Sequence, residues 1–152
     1  MKKFLFCCMA FFCFALMLAC NSTPQDAGSG AAAQVSDESY QAVYSRYASG
    51  LILDGAGKYT VVYRDTLAGI SRSKYRNGFY FPIIMLASRD IVLDPDKIVP
   101  GMVLTIPNLE ANLNNPDARN TIKGFLLEIA DLEVQRNRPR NSEGLRNLSA
   151  SL

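Results

Sequence analysis

The chain contains no histidine and no tryptophan, and it has only four cysteines among 152 residues. The lack of histidine excludes metal sites with imidazole ligands and the common Ser-His and Cys-His nucleophile pairs. Three of the cysteines, Cys7, Cys8 and Cys13, lie within an uncharged N-terminal stretch, and Cys20 follows it. If that stretch is removed after export, no disulfide can form within one chain. We therefore expect no metal, no cofactor and no histidine- or cysteine-dependent catalysis.

The N-terminus has the pattern of an export signal. Lys2 and Lys3 precede an uncharged, apolar run over residues 4–19, as in the basic and apolar regions of a secretory signal peptide. The run is shorter than the roughly 20 residues that a membrane-spanning helix needs. Polar residues follow at once, which favours a removable signal over a permanent transmembrane anchor.

The end of this run resembles a bacterial lipobox. In a lipobox a small residue precedes a cysteine that is acylated as the new N-terminus, and Ala19 and Cys20 fill these two positions. Met17 and Leu18 depart from the usual residues. The resemblance implies a signal peptide over residues 1–19 and a lipid on Cys20 that attaches the protein to a membrane. The alternative is an ordinary signal peptide with an incidental cysteine.

The mature chain has little net charge. Its 16 basic residues fall to 14 without Lys2 and Lys3, which equals the 14 acidic residues. A balanced chain has no global charge to attract nucleic acid. We therefore expect no nucleic-acid partner.

A small, polar segment follows Cys20. Residues 20–36 show no apolar periodicity, so they cannot bury enough surface to fold. They predict a flexible tether that spans about 20 Å. Such a tether would hold the rest of the chain close to its membrane.

The central segment, residues 58–107, predicts the order strand, helix, helix, strand. Tyr59–Tyr63 is rich in β-branched and aromatic residues, which is typical of a strand. Asp65 or Thr66 is placed to cap a first helix, and Pro82 suits the start of a second. Pro100 and Gly101 fit the central positions of a type II turn, and residues 103–106 predict the second strand.

This segment resembles the LysM family. The stretches YTVVYRDTLAGISRSKY and PIIMLASRDIVLDPDKIVPGMVLTIP match the LysM pattern. The residues in register are Tyr59, Thr60, Val61, Asp65, Thr66, Leu67, Ile70, Asp94, Pro95, Asp96, Ile98, Pro100, Gly101, Leu104, Ile106 and Pro107. The resemblance implies an α+β fold with a two-stranded antiparallel sheet and two helices on one face. It also implies a glycan ligand that contains N-acetylglucosamine, such as peptidoglycan.

The resemblance also implies where the sugar would bind, in a groove between two loops. The residues that it assigns to carbohydrate binding are Asp65, Thr66, Leu67 and Ala68 on the first loop and Ile91, Asp94 and Ile98 on the second. Structural roles compete with this assignment, because Asp65 could cap the helix and Leu67 and Ile98 could belong to the core. Arg64 and Ser88 replace a glycine and an asparagine of the family pattern beside these loops, where they bear on sugar binding rather than on the fold.

Helical patterns flank the central segment. Residues 37–57 predict an N-terminal extension with an aromatic stripe, which we expect to pack on a core rather than to stack on sugars. Residues 108–152 predict an Asn-rich connector up to Asn115, followed by a helical hairpin packed on the LysM core. The first helix of this hairpin has an apolar face at Ala118, Ile122, Phe125, Leu126, Ile129 and Leu132. Gly124 in the same helix indicates close packing at that position. The last helix is predicted to begin near Ser142. The arginines at 136, 138, 140 and 146 are interpreted as a solvated helix end, and the alternative is that they contact anionic headgroups or a partner.

Together these features predict a non-enzymatic lipoprotein of the bacterial cell envelope that faces the periplasm or cell wall and binds peptidoglycan or a related N-acetylglucosamine glycan. Two alternatives remain. In one, the LysM core is a scaffold for an envelope protein partner, and the helices that carry Tyr40 and Phe125 present the binding face. In the other, a pair of carboxylates hydrolyses glycan, although the chain lacks the bulk for a deep cleft.

Overall fold

The order of elements follows the predicted pattern of strands and helices. The computed structural model describes residues 35–152, so the predicted signal peptide, Cys20 and most of the predicted tether lie outside the described residues. Within that range the chain forms α1 Asp37–Tyr47, β1 Gly57–Thr60, α2 Leu67–Tyr75, α3 Phe81–Ala87, β2 Val103–Ile106, α4 Leu109–Asn114, α5 Pro116–Gln135 and α6 Pro139–Ser151. Short 3-10 turns at Ala48–Gly50 and Gly78–Tyr80 follow α1 and precede α3.

The sheet consists of β1 and β2, which pair antiparallel with Gly57 opposite Ile106 and Thr60 opposite Val103. The two helices α2 and α3 lie between these strands in the chain. The predicted α+β fold, with the order strand, helix, helix, strand and added helices at both ends, is confirmed. The predicted bounds of the first strand are wrong, because β1 begins at Gly57 and ends at Thr60. The side chain of Asp65 accepts a hydrogen bond from the Val62 amide at 2.9 Å, which bends the chain into a turn after the strand.

The aromatic stripe of α1 packs inside the protein, as predicted. Tyr40, Val43 and Tyr44 are buried. The ring of Phe125 on α5 lies 6.0 Å from the ring of Tyr44 and 5.6 Å from the ring of Tyr47, measured between centroids. Because Tyr40 and Phe125 are both buried in one core, neither side chain is exposed to a partner.

The long helix α5 begins where the sequence indicates. Asn115 caps it by accepting hydrogen bonds from the amides of Asp117 and Ala118 at 3.0 Å each. The predicted apolar face of α5 is buried throughout. Close packing at Gly124 is also confirmed, since a Cβ atom there would lie 2.9 Å from the ring of Tyr47.

Two predictions about the C-terminal region are wrong. The Asn-rich connector contains a helix, α4, because the fully buried side chain of Asn112 hydrogen-bonds to both the amide and the carbonyl of Ile52 at 2.9 Å. The last helix begins at Pro139, three residues before the predicted start. Proline suits the first turn of a helix, because the amide that it lacks has no partner within the helix.

One hydrophobic core joins all of these parts. It includes side chains from α1, α2, α3, β2, α5 and α6. Residues 35–152 therefore carry the core that is needed to fold as a unit. Across this range, no helix is both long enough and apolar enough to cross a lipid bilayer.

Candidate ligand-binding groove

The turn between β1 and α2 together with the first two residues of α2, residues 61–68, is called the first wall here, and it is held by local hydrogen bonds. Thr66 caps α2, since its hydroxyl accepts a hydrogen bond from the Gly69 amide at 3.0 Å. Asp65 closes the turn instead, since its Oδ2 accepts from the Tyr59 hydroxyl at 2.8 Å and from the Val62 amide at 2.9 Å. The bond to Asp65 raises the pKa of Tyr59. The capping role suggested for Asp65 thus belongs to Thr66.

Arg64 in the first wall has a backbone conformation that favours glycine. Its φ is +72°, in the left-handed region, where a side chain raises the energy by about 1 kcal/mol. Its guanidinium lies 5.4 Å from the ring of Tyr63, a residue that is 78% exposed. The arginine at this position therefore strains the turn locally, and its side chain lies at the surface.

The loop between α3 and β2, residues 88–99, is called the second wall here. It is attached to other elements at Ser88 and at Val92. Ser88 is buried, and its Oγ accepts a hydrogen bond from the Thr105 amide of β2 at 2.8 Å. The Tyr44 hydroxyl of α1 donates to the Val92 carbonyl at 2.9 Å, and burial raises the pKa of Tyr44. Ser88 thus has a structural role, because it joins the second wall to β2.

Two arginines that follow α5 hold the second wall, and we call the set of Arg136, Arg138, Asp94 and Asp96 the arginine clamp. The Nη1 atom of Arg136 donates to Asp94 Oδ1 at 3.0 Å. Asp96 receives hydrogen bonds from both Arg136 and Arg138. The Arg138 guanidinium holds the pKa of Asp96 below its usual value. The interpretation as a solvated helix end is wrong for Arg136, whose side chain is only 15% exposed, whereas the side chain of Arg138 is 38% exposed.

Arg136 also links the clamp to α1. Its Nη1 donates to the Tyr40 hydroxyl at 2.6 Å. Burial raises the pKa of Tyr40 to about 12, although the neighbouring guanidinium opposes this rise. Tyr40 therefore keeps its proton at neutral pH and accepts the hydrogen bond through a neutral oxygen.

The two walls meet at a cavity of about 90 Å³, which we call the inner cavity. The first wall contributes Thr66, Leu67 and Ala68, and the second contributes Pro95 and Asp96. The remaining lining residues are Phe81 of α3 and Glu133, Arg138 and Asn141 of the C-terminal region. The C-terminal helices thus add a third wall that the sequence did not predict.

A larger open groove adjoins the inner cavity and shares Ala68, Phe81 and Asn141 with it. This outer groove has a volume of about 370 Å³. Its other lining residues are Arg72, Arg76, Asn77, Gly78 and Phe79. Polar amides, arginines and two phenylalanines therefore line a continuous path along one face of α2.

The predicted site residues separate into two groups. Thr66, Leu67 and Ala68 line the inner cavity, whereas Asp65, Ile91, Asp94 and Ile98 do not. Asp65 holds the first wall, Asp94 belongs to the arginine clamp, Ile98 packs on the core and Ile91 is 40% exposed. Sequence reasoning missed Glu133, Arg138 and Asn141. Glu133 interrupts the otherwise apolar face of α5, and this buried charge was the available signal.

Glu133 is unusual because it is only 1% exposed. Its Oε2 accepts a hydrogen bond from Asn141 Nδ2 at 2.7 Å. Its Oε1 has no hydrogen-bond partner among residues 35–152. An unsatisfied buried oxygen costs about 1–3 kcal/mol, or more when it is charged. Glu133 thus keeps one buried carboxylate oxygen without a hydrogen bond in the described range.

A cavity of about 600 Å³ lies elsewhere, between the end of α2 and α4. Its lining includes Tyr75, Pro107, Leu109 and Leu113, and none of the predicted site residues. In the described part of the chain, no group of three or more acidic or cysteine side chains is arranged to hold a metal ion.

Comparison with known proteins gives one partial relation. No family model matches the chain, and no solved structure matches it. Over 49 residues, or 32% of its length, the chain is 45% identical to the potassium binding protein Kbp of Escherichia coli O6:H1. The match spans 33% of that protein. This comparison relates about a third of the chain to about a third of a protein that is named as a binding protein.

Proposed function

We propose that this protein is a member of the LysM family and that it binds N-acetylglucosamine-containing glycans, such as peptidoglycan, without catalysing their cleavage. One observation carries the proposal. Thr66–Ala68 and Pro95–Asp96, which come from the two loops that the LysM resemblance pairs, line the same cavity. Residues about 30 positions apart in the chain are thus placed where one ligand can touch both.

The dimensions of the groove fit an N-acetylated sugar. The inner cavity of about 90 Å³ has room for several water molecules, each of which needs roughly 10–15 Å³ of such space. An acetamido group, with four heavy atoms, is small enough to enter it. The sugar ring would lie in the outer groove of about 370 Å³, which is in the usual range of ligand pockets.

The lining residues also suit this ligand. Leu67, Ala68 and Phe81 offer apolar atoms to a methyl group and to the CH face of a sugar. Thr66 and Asn141 offer polar atoms to its amide and hydroxyl groups. A few polar groups among apolar ones is the usual composition of a small-ligand site.

A lipid on Cys20 would complete this function. Residues 20–36 would then tether the groove close to the membrane and, in a bacterial envelope, close to the wall. Confinement raises the effective concentration of a weakly binding groove without any new contact.

Sedimentation with purified peptidoglycan tests the proposal. We expect residues 35–152 to sediment with it, and Ala68→Arg to reduce the bound fraction by at least tenfold, because Ala68 is exposed where the inner cavity meets the outer groove. Ala42→Arg is the matched control, because it places the same side chain on the exposed face of α1. Equal binding by wild type and Ala68→Arg, or none by either, would contradict the proposal.

Potassium binding is a second candidate, and the partial match to the Escherichia coli protein favours it. The carboxylates of Asp96 and Glu133 line the inner cavity and could supply oxygen ligands. Thermal unfolding in KCl and in NaCl at equal ionic strength tests this candidate. A higher Tm in KCl that Glu133→Gln abolishes would support it, and identical Tm values would reject it.

A further inference from the structure

The outer groove contains two arginines that the proposed function leaves unassigned. Arg72 is exposed on α2, and Arg76 is exposed directly after the last residue of this helix. Both line the outer groove, and no acidic residue lines it. Among residues 35–152, neither arginine forms an ion pair with a carboxylate. The groove therefore presents two cations that have no acidic partner in the described part of the chain.

The two arginines are close neighbours, one helical turn apart. The Arg76 amide donates to the Arg72 carbonyl at 2.9 Å, which closes the last turn of α2. The Arg72 guanidinium lies beside the turn that follows, since its Nη2 is 3.4 Å from the position that a Cβ atom of Gly78 would take. Like charges at this spacing repel each other. An anion bound to both guanidinium groups would remove this repulsion.

The backbone of Arg76 adds to the cost of this arrangement. Its φ is +61°, in the left-handed region that favours glycine. The helix dipole stabilises cations at this end of α2, and Lys74 meets that preference while its Nζ lies 5.1 Å from the centre of the Tyr59 ring. The dipole does not explain an arginine where glycine would be unstrained. Strained residues of this kind cluster at functional sites.

The surroundings of the two arginines favour an anionic ligand. The ring of Phe79 forms an apolar wall of the groove and packs on α6, where a Cβ atom at Gly144 would lie 2.2 Å from the ring. Apolar surroundings strengthen the attraction between charges. The acidic residues of the adjoining inner cavity do not neutralise the pair, because Asp96 is bound by Arg138 and Glu133 is only 1% exposed.

We propose that Arg72 and Arg76 bind a carboxylate of the glycan, so that the groove takes acidic glycans in preference to neutral ones. This inference rests on the proposed function and narrows its ligand class. Peptidoglycan carries a lactyl carboxylate on every second sugar, whereas chitin carries none. Guanidinium groups bind carboxylates through charge-assisted hydrogen bonds, which are often bidentate. The contact lies on α2 and the residue that ends it, outside the two loops that the LysM resemblance pairs.

Isothermal titration of residues 35–152 with two tetrasaccharides tests the inference. One is chitotetraose, and the other is the peptide-free tetrasaccharide of alternating N-acetylglucosamine and N-acetylmuramic acid, which differs from it by its lactyl groups. We expect the wild type to bind the acidic tetrasaccharide about tenfold more tightly, because each arginine gains a charge-assisted contact. This preference should shrink at high salt, which screens exposed charges.

The double variant Arg72→Gln/Arg76→Gln should bind the two tetrasaccharides with equal affinity. Both side chains are exposed and make no ion pair within residues 35–152, so the variant should unfold at the same Tm as the wild type. Arg119→Gln is the matched control, because Arg119 lies on α5 and lines neither the inner cavity nor the outer groove. It should keep the preference for the acidic tetrasaccharide.

The ratio of the two affinities separates this inference from the proposed function. Equal binding of both tetrasaccharides by the wild type rejects the arginine contact and leaves glycan binding intact. A preference that persists in the double variant places the carboxylate elsewhere and also rejects the contact. If neither tetrasaccharide binds the wild type, both proposals fail. If the double variant loses only sedimentation with phosphatidylglycerol vesicles, the arginines bind lipid headgroups and the inference is overturned.

Discussion

The two walls of the groove are held in different ways. In the first wall, the hydrogen bonds of Asp65 and Thr66 join residues that are three or six positions apart. In the second wall, Tyr44 and Arg136 reach Val92 and Asp94 from 48 and 42 positions away. The first wall thus depends on its own sequence, whereas the second depends on helices outside the LysM-like segment.

The largest expected effect follows from breaking the arginine clamp. The side chains of Asp94 and Arg136 are 8% and 15% exposed, so Arg136→Ala removes the hydrogen-bonded cation of a buried carboxylate and leaves it only Lys97, whose Nζ lies 3.7 Å from Asp94 Oδ2. Breaking a buried pair costs about 3–5 kcal/mol, and Lys97 offsets part of this cost. We expect a loss of up to this size in the free energy of unfolding measured with urea. Arg140→Ala is the control, because Arg140 is exposed at the start of α6. Equal losses in both variants would show that the second wall does not depend on the clamp.

Removing the helix cap of the first wall should have a smaller effect. Thr66→Ala removes the acceptor of the Gly69 amide, and the loss of such a cap costs about 1 kcal/mol. Thr66→Ser keeps a hydroxyl and should recover most of this stability in the same urea measurement. A Thr66→Ser variant as unstable as Thr66→Ala would mean that the threonine methyl, rather than the cap, holds this wall.

Relieving the strain at Arg64 should stabilise the first wall. Since φ is +72° at this residue, Arg64→Gly should raise the free energy of unfolding by about 0.5–1 kcal/mol. Arg72→Gly within α2 should act in the opposite direction and cost about 1 kcal/mol, because glycine weakens a helix. Thermal unfolding of the two variants shows directly whether each substitution raises or lowers the stability. Destabilisation by both would contradict the strain at Arg64.

The smallest expected effect concerns pH and the exposed side of the clamp. The pKa of Asp96 is lower in the folded protein than in the unfolded chain, because Arg138 donates to its carboxylate. Its contribution to stability is therefore complete above the unfolded pKa of about 3.9 and is lost as the pH falls through the lower folded value. With a side chain 45% exposed, the pair contributes at most about 1 kcal/mol.

Wild type and Asp96→Asn should accordingly differ in stability at pH 7, and this difference should shrink as the pH falls below about 4. Urea unfolding at a series of pH values measures it. A difference that grows in acid would contradict a lowered pKa at Asp96.

The comparison of the walls also explains what the sequence could predict. The capping threonine, the type II turn at Pro100 and Gly101, and the apolar face of α5 follow from short-range patterns. Gly101 has a φ of +94°, and the Met102 amide donates to the Val99 carbonyl, as that turn requires. Only the residues involved and their neighbours are needed to recognise such features.

The rest depended on contacts between residues far apart in the chain. Arg136 looked like part of a basic helix end because the sequence does not show that Asp94 lies beside it. Asn112 looked like part of a linker because its partner, Ile52, is 60 positions away. The sequence likewise does not show that Glu133 lines a cavity, because the first and second walls that form this cavity lie far from it in the chain.

The most direct test of glycan binding between the two walls is a map of amide chemical shifts of residues 35–152 during titration with chitotetraose. We expect saturable shifts at Thr66, Leu67 and Ala68 of the first wall, at Asp96 of the second, and at the side-chain amide of Asn141. We expect no comparable shifts at exposed Val62 and Tyr63. Shifts confined to other surfaces, or no shifts at millimolar sugar, would contradict glycan binding between the two walls.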